Sequence, residues 1–158
     1  MDKKMDVKII QLEPMRVACF PAYGPEPEDE AWQRLLDWAR PQGLLEDPEK
    51  NRIFGFDTTG SSPVSGNRGY EFWLEVGPQV EESAGVTIRN FAGGKYAVYR
   101  IEKIGEPWQT IPAGWQALVL WQEDSPYPMR HAVCLEQRIG QADLPLADCA
   151  MDLFLSID

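Results

Sequence analysis

At 158 residues, 44% apolar and 25% charged, the chain has the size and composition of one globular domain with a proper core. Its net charge of −10 argues against direct nucleic-acid binding, which needs a basic surface. No run approaches the roughly 18 apolar residues of a membrane span, and Met1 to Asp6 leads into no apolar signal segment.

Val7 to Phe20 reads as one strand or two, interrupted at Pro14, and Tyr23-Gly24-Pro25-Glu26-Pro27 is turn chemistry. Glu28-Asp29-Glu30 then places negative charge at a helix start. Trp32, Leu35, Leu36 and Ala39 follow the spacing of an amphipathic helix, with Trp38 at the edge of the stripe and Pro41 and Gly43 ending it. Arg52 to Phe56 is a strand. Residues 57–69, rich in Thr, Ser and Gly, form a loop long enough to act as a lid. Gly69 to Val76 alternates, with Phe72, Leu74 and Val76 on one face and Glu71, Trp73 and Glu75 on the other.

Gly77 to Gly85 is a polar connection. Val86 to Ile104 holds two strands around Ala92-Gly93-Gly94-Lys95, and Pro107, Pro112 and Gly114 surround the start of a second helix with Trp115, Leu118 and Val119 in its stripe. Trp121 takes the edge position there, and Pro126 and Pro128 end the helix. His131 to Ile139 reads as a strand, Ala142 to Leu146 as a loop, and Met151 to Ile157 as a last strand with Leu153, Leu155 and Ile157 inward. The three cysteines, Cys19, Cys134 and Cys149, lack C-x-x-C spacing, so no disulfide framework and no metal site is expected, and the thiols read as reduced in a cytoplasmic protein.

The pattern W-Q-x-L-x-x-W occurs at Trp32 to Trp38 and again 83 residues later at Trp115 to Trp121. Val7-Lys8-Ile9 parallels Val86-Thr87-Ile88, and Val17-Ala18-Cys19 parallels Tyr96-Ala97-Val98, both at an offset of 79. Tyr70 to Val76 parallels Met151 to Ile157 at an offset of 81. The fold expected is α+β, with a βαββ unit used twice, mainly antiparallel sheet and two main helices. Residues 1–158 would form one domain, its halves spanning about 7–77 and 86–158.

The doubled order, Gly69-Tyr70-Glu71-Phe72-Trp73, Ala92 to Val98, the helix at Trp115 and Cys134-Leu135-Glu136 together resemble the GyrI-like family, also called AraC-type effector-binding domains. The resemblance runs from about Val7 to Ile157. It implies pseudo-two-fold, SH2-like βαββ units around an aromatic-lined ligand groove, with a groove-facing glutamate after the second helix; Glu136 takes that place. Family members often have tyrosine two residues after the glutamate or tryptophan two before; here those positions hold Arg138 and Cys134.

Glu136 is therefore the principal candidate for a ligand-facing carboxylate, because partial desolvation beside aromatics favours a cationic partner. The plainer alternative is a solvated strand glutamate. Glu71 and Trp73 would add a second carboxylate and an aromatic wall, or be a surface pair. Trp38 and Trp121, at the stripe edges, fit a core better than a pocket, and Tyr96, Tyr99 and Trp108 are lining candidates with a core alternative. His131, the only histidine, has no Ser or Cys in an activation motif, so a hydrolase triad is unsupported. Without G-x-x-x-x-G-K there is no phosphate loop, and no cofactor is implied.

Three functions follow as expectations. One is a stand-alone binder of an amphipathic, cationic or planar aromatic compound, of the multidrug-binding kind, serving toxin sensing, sequestration or transcription regulation. Another is a hydrolase of strained cyclopropane-containing natural products using Glu136. The third is a protein-interaction modulator of a topoisomerase or regulator.

Overall fold

The computed structural model describes residues 5–58 and 66–158; the middle of the loop expected as a lid lies outside them. In chain order the described elements are β1 (Val7–Leu12), β2 (Met15–Gly24), α1 (Pro27–Ala39), β3 (Ile53–Asp57), β4 (Arg68–Glu75), β5 (Thr87–Phe91), β6 (Gly94–Ile101), α2 (Pro107–Glu123), β7 (Leu135–Ile139) and β8 (Ala150–Ser156). Short 3₁₀ turns follow α1 at Arg40–Gln42 and precede β8 at Leu146–Asp148. The α+β class and the antiparallel pairing are as expected. The chain gathers into two compact units, residues 14–92 and residues 1–13 with 93–158.

In the 14–92 unit the strands lie in the order β3-β4-β2-β5, all antiparallel. Pro27 occupies the start of α1, and Glu28, Asp29 and Glu30 lie in its first turn, where the helix dipole favours acids. The helix buries Leu35, Trp38 and Ala39 against Ala18, Phe20, Leu74 and Val76. Full burial of one such side chain stabilises by about 1.5–3 kcal/mol. Phe72 joins this helix-facing side from a half-buried position, so the alternation read from β4 holds.

In the other unit the order is β1-β6-β8-β7, again antiparallel. Strand β1 joins this unit through pairs such as Ile9 with Ala97, whereas β5 joins the first through β2. The units therefore divide the chain differently from sequence halves at 7–77 and 86–158. Helix α2 packs Leu118 against Ala97, Ile101, Leu153 and Leu155. Gly114 permits the close approach, since a Cβ there would stand 3.0 Å from Ile101 Cδ1 and Leu153 Cδ1.

Two element boundaries depart from the sequence reading. Helix α2 begins at Pro107 and carries Pro112 inside it, rather than starting after Pro112. Pro107 suits the first turn, whose N–H groups have no intrahelical acceptor, and the helix runs through Pro112 at the loss of one hydrogen bond. Strand β7 begins at Leu135, not His131. Upstream, the Val133 carbonyl accepts from the Tyr96 hydroxyl at 2.8 Å and Ala132 N–H bonds back to Arg130, which takes this backbone out of the ladder. The side of β8 away from Leu153 is no solvent face either: Phe154 is 3% exposed and Ser156 fully buried.

Candidate functional site

Strand β7 sets the orientation of the principal candidate. Leu135 lies opposite Phe154 and is fully buried, while Glu136 lies opposite Leu153. Directly opposed residues share a face, so Glu136 stands on the side of the sheet that carries α2. There the indole Nε1 of Trp115 donates to Glu136 Oε2 at 2.8 Å. Both residues are half-buried. Trp115 also borders, with Gln116, Val119 and Leu120, a shallow apolar patch on the outer face of α2. A carboxylate held by an indole N–H next to an accessible apolar wall can accept a cation whose remaining surface is greasy.

The other candidates are spread over separate places. Glu71 and Trp73 do pair, with Trp73 Nε1 donating to Glu71 Oε2 at 2.6 Å. They lie on the side of β4 away from α1, and Trp73 is only 8% exposed, wedged between Phe56 at 4.8 Å and Phe91 at 5.1 Å. The residues that the sequence parallel at an offset of 81 aligns with them, Asp152 and Phe154, behave differently: Asp152 is tied to Arg100 at 2.7 Å. Trp38 is core, edge-on to Phe20 at 5.7 Å and donating to Ser83 Oγ at 3.0 Å. Tyr96 is fully buried, and burial pushes its phenol above the ordinary range. Trp121 stacks near Tyr127, with ring centroids 6.4 Å apart, and Lys95 Nζ caps the Tyr127 ring at 4.8 Å. Trp108 is 73% exposed in the first turn of α2.

The sequence singled out Glu136 but not its partner. Trp115 was visible as the opening residue of the repeated motif, yet nothing in the spacing tied it to β7, 21 positions further on. The two substituted positions turn away from nucleophilic chemistry. Burial raises the Cys134 thiol, whose sulfur accepts the Ser156 N–H at 3.5 Å. Arg138 is desolvated, which lowers its guanidinium pKa, and it donates to the Leu144 carbonyl. Cys19 is pushed up to about 11, mainly by burial and then by the Glu71 charge. Among the described residues no group of three His, Cys, Asp or Glu is placed to hold a metal, and no helix is long and apolar enough to cross a membrane.

Comparison with known proteins agrees with this architecture. The family of GyrI-like small molecule binding domains matches residues 5–157. No curated protein sequence matches significantly. Among solved structures, the C-terminal domain of EcmrR is similar with a TM-score of 0.71 at 11% identity, over 98% of each chain. SAV2435 bound to tetraphenylphosphonium is similar with a TM-score of 0.59 at 12% identity, over 98% of this chain and 94% of that one. A hydrolase from Listeria innocua gives 0.65 at 11% identity, over 98% and 93%. At such identities the likeness is one of fold.

Proposed function

Since the chain belongs to the GyrI-like small-molecule-binding family, we propose that it binds an amphipathic organic cation, with Glu136 as the charge partner. The observation that carries this reading is the Trp115 Nε1 to Glu136 Oε2 bond at 2.8 Å, with Trp115 also bordering the apolar patch on α2. The indole fixes one carboxylate oxygen and offers its ring as an apolar and cation-attracting surface. A structurally similar protein bound to tetraphenylphosphonium supports that ligand class. In this reading the two units are copies of one βαββ element, and the protein serves drug sensing, sequestration or regulation in the cytoplasm.

The test is a tryptophan-fluorescence titration with tetraphenylphosphonium and its neutral analogue tetraphenylmethane-type compounds. Glu136→Gln should weaken the cation at least tenfold, about 1.4 kcal/mol, and leave the neutral compound unchanged. Equal affinity in wild type and variant would sink the charge-partner role.

A second reading, hydrolysis of a strained electrophile, draws on the similar Listeria hydrolase. Glu136 would take a proton from a water that adds to the ring carbon, the opened ring bond taking up a proton in turn. Turnover of a cyclopropane substrate, lost in Glu136→Gln, would favour it over binding alone.

A further inference from the structure

The repeat sets each unit a comparison. Trp32 corresponds to Trp115, and Phe72 on β4 corresponds to Leu153 on β8. Glu136 is the residue opposite Leu153; the residue opposite Phe72 is Gly55. The place on β3 that matches the candidate carboxylate therefore carries no side chain at all. It is not empty. A Cβ built on Gly55 would run into the Tyr70 side chain at Oη, Cε1 and Cζ, all well inside van der Waals contact. Tyr70 is 8% exposed and packs edge-on against Phe72 at 5.0 Å, and Phe72 in turn meets Trp32 at 5.2 Å. At the place where one unit holds an indole and a carboxylate on the helix side of its sheet, the other holds an aromatic row that lies over a glycine; its own indole–carboxylate pair, Trp73 with Glu71, lies on the opposite side of β4 with the indole buried.

We infer that Tyr70 closes the counterpart of the Glu136 site by filling the space over Gly55, so that each chain has one charge-selecting site. The inference rests on the cation-binding reading and on the correspondence between the units. Its geometry has one steric cause: Gly55 is required because the Tyr70 ring occupies the volume a side chain would need. A ring lying on the backbone here removes both the space and the anionic group that a second cation would use. The unit 14–92 is left with an aromatic packing function at that position.

Two measurements decide it separately from the binding reading. Melting temperatures of Gly55→Ala in wild type and in Tyr70→Ala form a double-mutant cycle. Gly55→Ala should lower Tm by several degrees in wild type and by less than one degree when Tyr70 is already truncated. The same loss in both backgrounds overturns the inference, whatever the protein binds. Calorimetric titration with tetraphenylphosphonium should give one cation per chain, and Glu136→Gln should weaken that single event at least tenfold. A stoichiometry of two in wild type also overturns it. If wild type takes up no cation, the recognition reading fails, and the Tm cycle still decides whether Tyr70 fills the site.

Discussion

Arg130 shows how much of this molecule depends on single contacts. Its guanidinium lies 5.7 Å from the Tyr96 ring centroid and donates to the buried Ser156 hydroxyl at 2.9 Å. Gly94 lies directly beneath it; a Cβ there would collide with the guanidinium, and its φ of +152° is a conformation that suits glycine. Gly94→Ala should therefore cost about 2–3 kcal/mol in urea unfolding. Adding Arg130→Ala should recover the steric part and leave the backbone strain. Buried thiols set a second expectation. Cys19 is raised from 9.0 to about 11, and Cys134 and Tyr96 are raised as well, all mainly by desolvation. Each group ionises more readily in the unfolded chain, so its contribution is complete below its unfolded pKa and is lost as pH rises towards the folded one. Urea stability should be level near pH 8 and fall between about pH 9 and 11, and Cys19→Ala should make that fall shallower.

Helices and strands were readable to different degrees. The α1 stripe, the β4 alternation and the break at Pro14 came straight from side-chain period and turn residues, because each is a local property of its own segment. By local rules Pro107, Pro112 and Gly114 surround the start of α2, yet Pro112 lies about one and a half turns inside it. The burial of Leu118 and the fit of Gly114 against Leu153 outweigh one missing hydrogen bond, and such tertiary packing is invisible to local rules. Pro112→Ala should accordingly stabilise the protein by about 1 kcal/mol, a net of the restored bond against the looser unfolded chain. A lower urea midpoint would mean that the ring of Pro112 contributes packing of its own. Val133 has a strand-forming side chain, yet its carbonyl is used by the Tyr96 hydroxyl, so β7 is shorter than its composition suggests. The same limit applies to the candidate site: Glu136 could be placed on a strand from the sequence, but its bond to Trp115 depends on where α2 comes to rest.

At the scale of the whole molecule, the α+β class and the antiparallel pairing were legible and the pairing partners of β1 and β5 were not. Sequence similarity equates Val7-Lys8-Ile9 with Val86-Thr87-Ile88 but cannot say which strand each will pair with. In the structure β1 lies against β6, matching Val7 with Tyr99 and Leu12 with Gly94. Deleting residues 1–13 should therefore expose the β6 edge and speed amide exchange across Tyr96–Ile101, while Phe72 and Leu74 on β4 stay protected. Equal loss of protection in both units would contradict the division into two compact bodies.

The pairing of β1 with β6 also has a consequence in time. During synthesis β1 leaves the ribosome well before its partner is made, and residues 14–92 are complete in between. At about 5–20 residues per second, the strand waits several seconds with its hydrogen-bonding edge unmatched. Lys8, exposed at the second position of the strand, puts a charge within that waiting segment, where charged side chains discourage pairing with a neighbouring nascent chain. A strand made early and placed late thus leaves the 14–92 body to form first, from one uninterrupted stretch of chain.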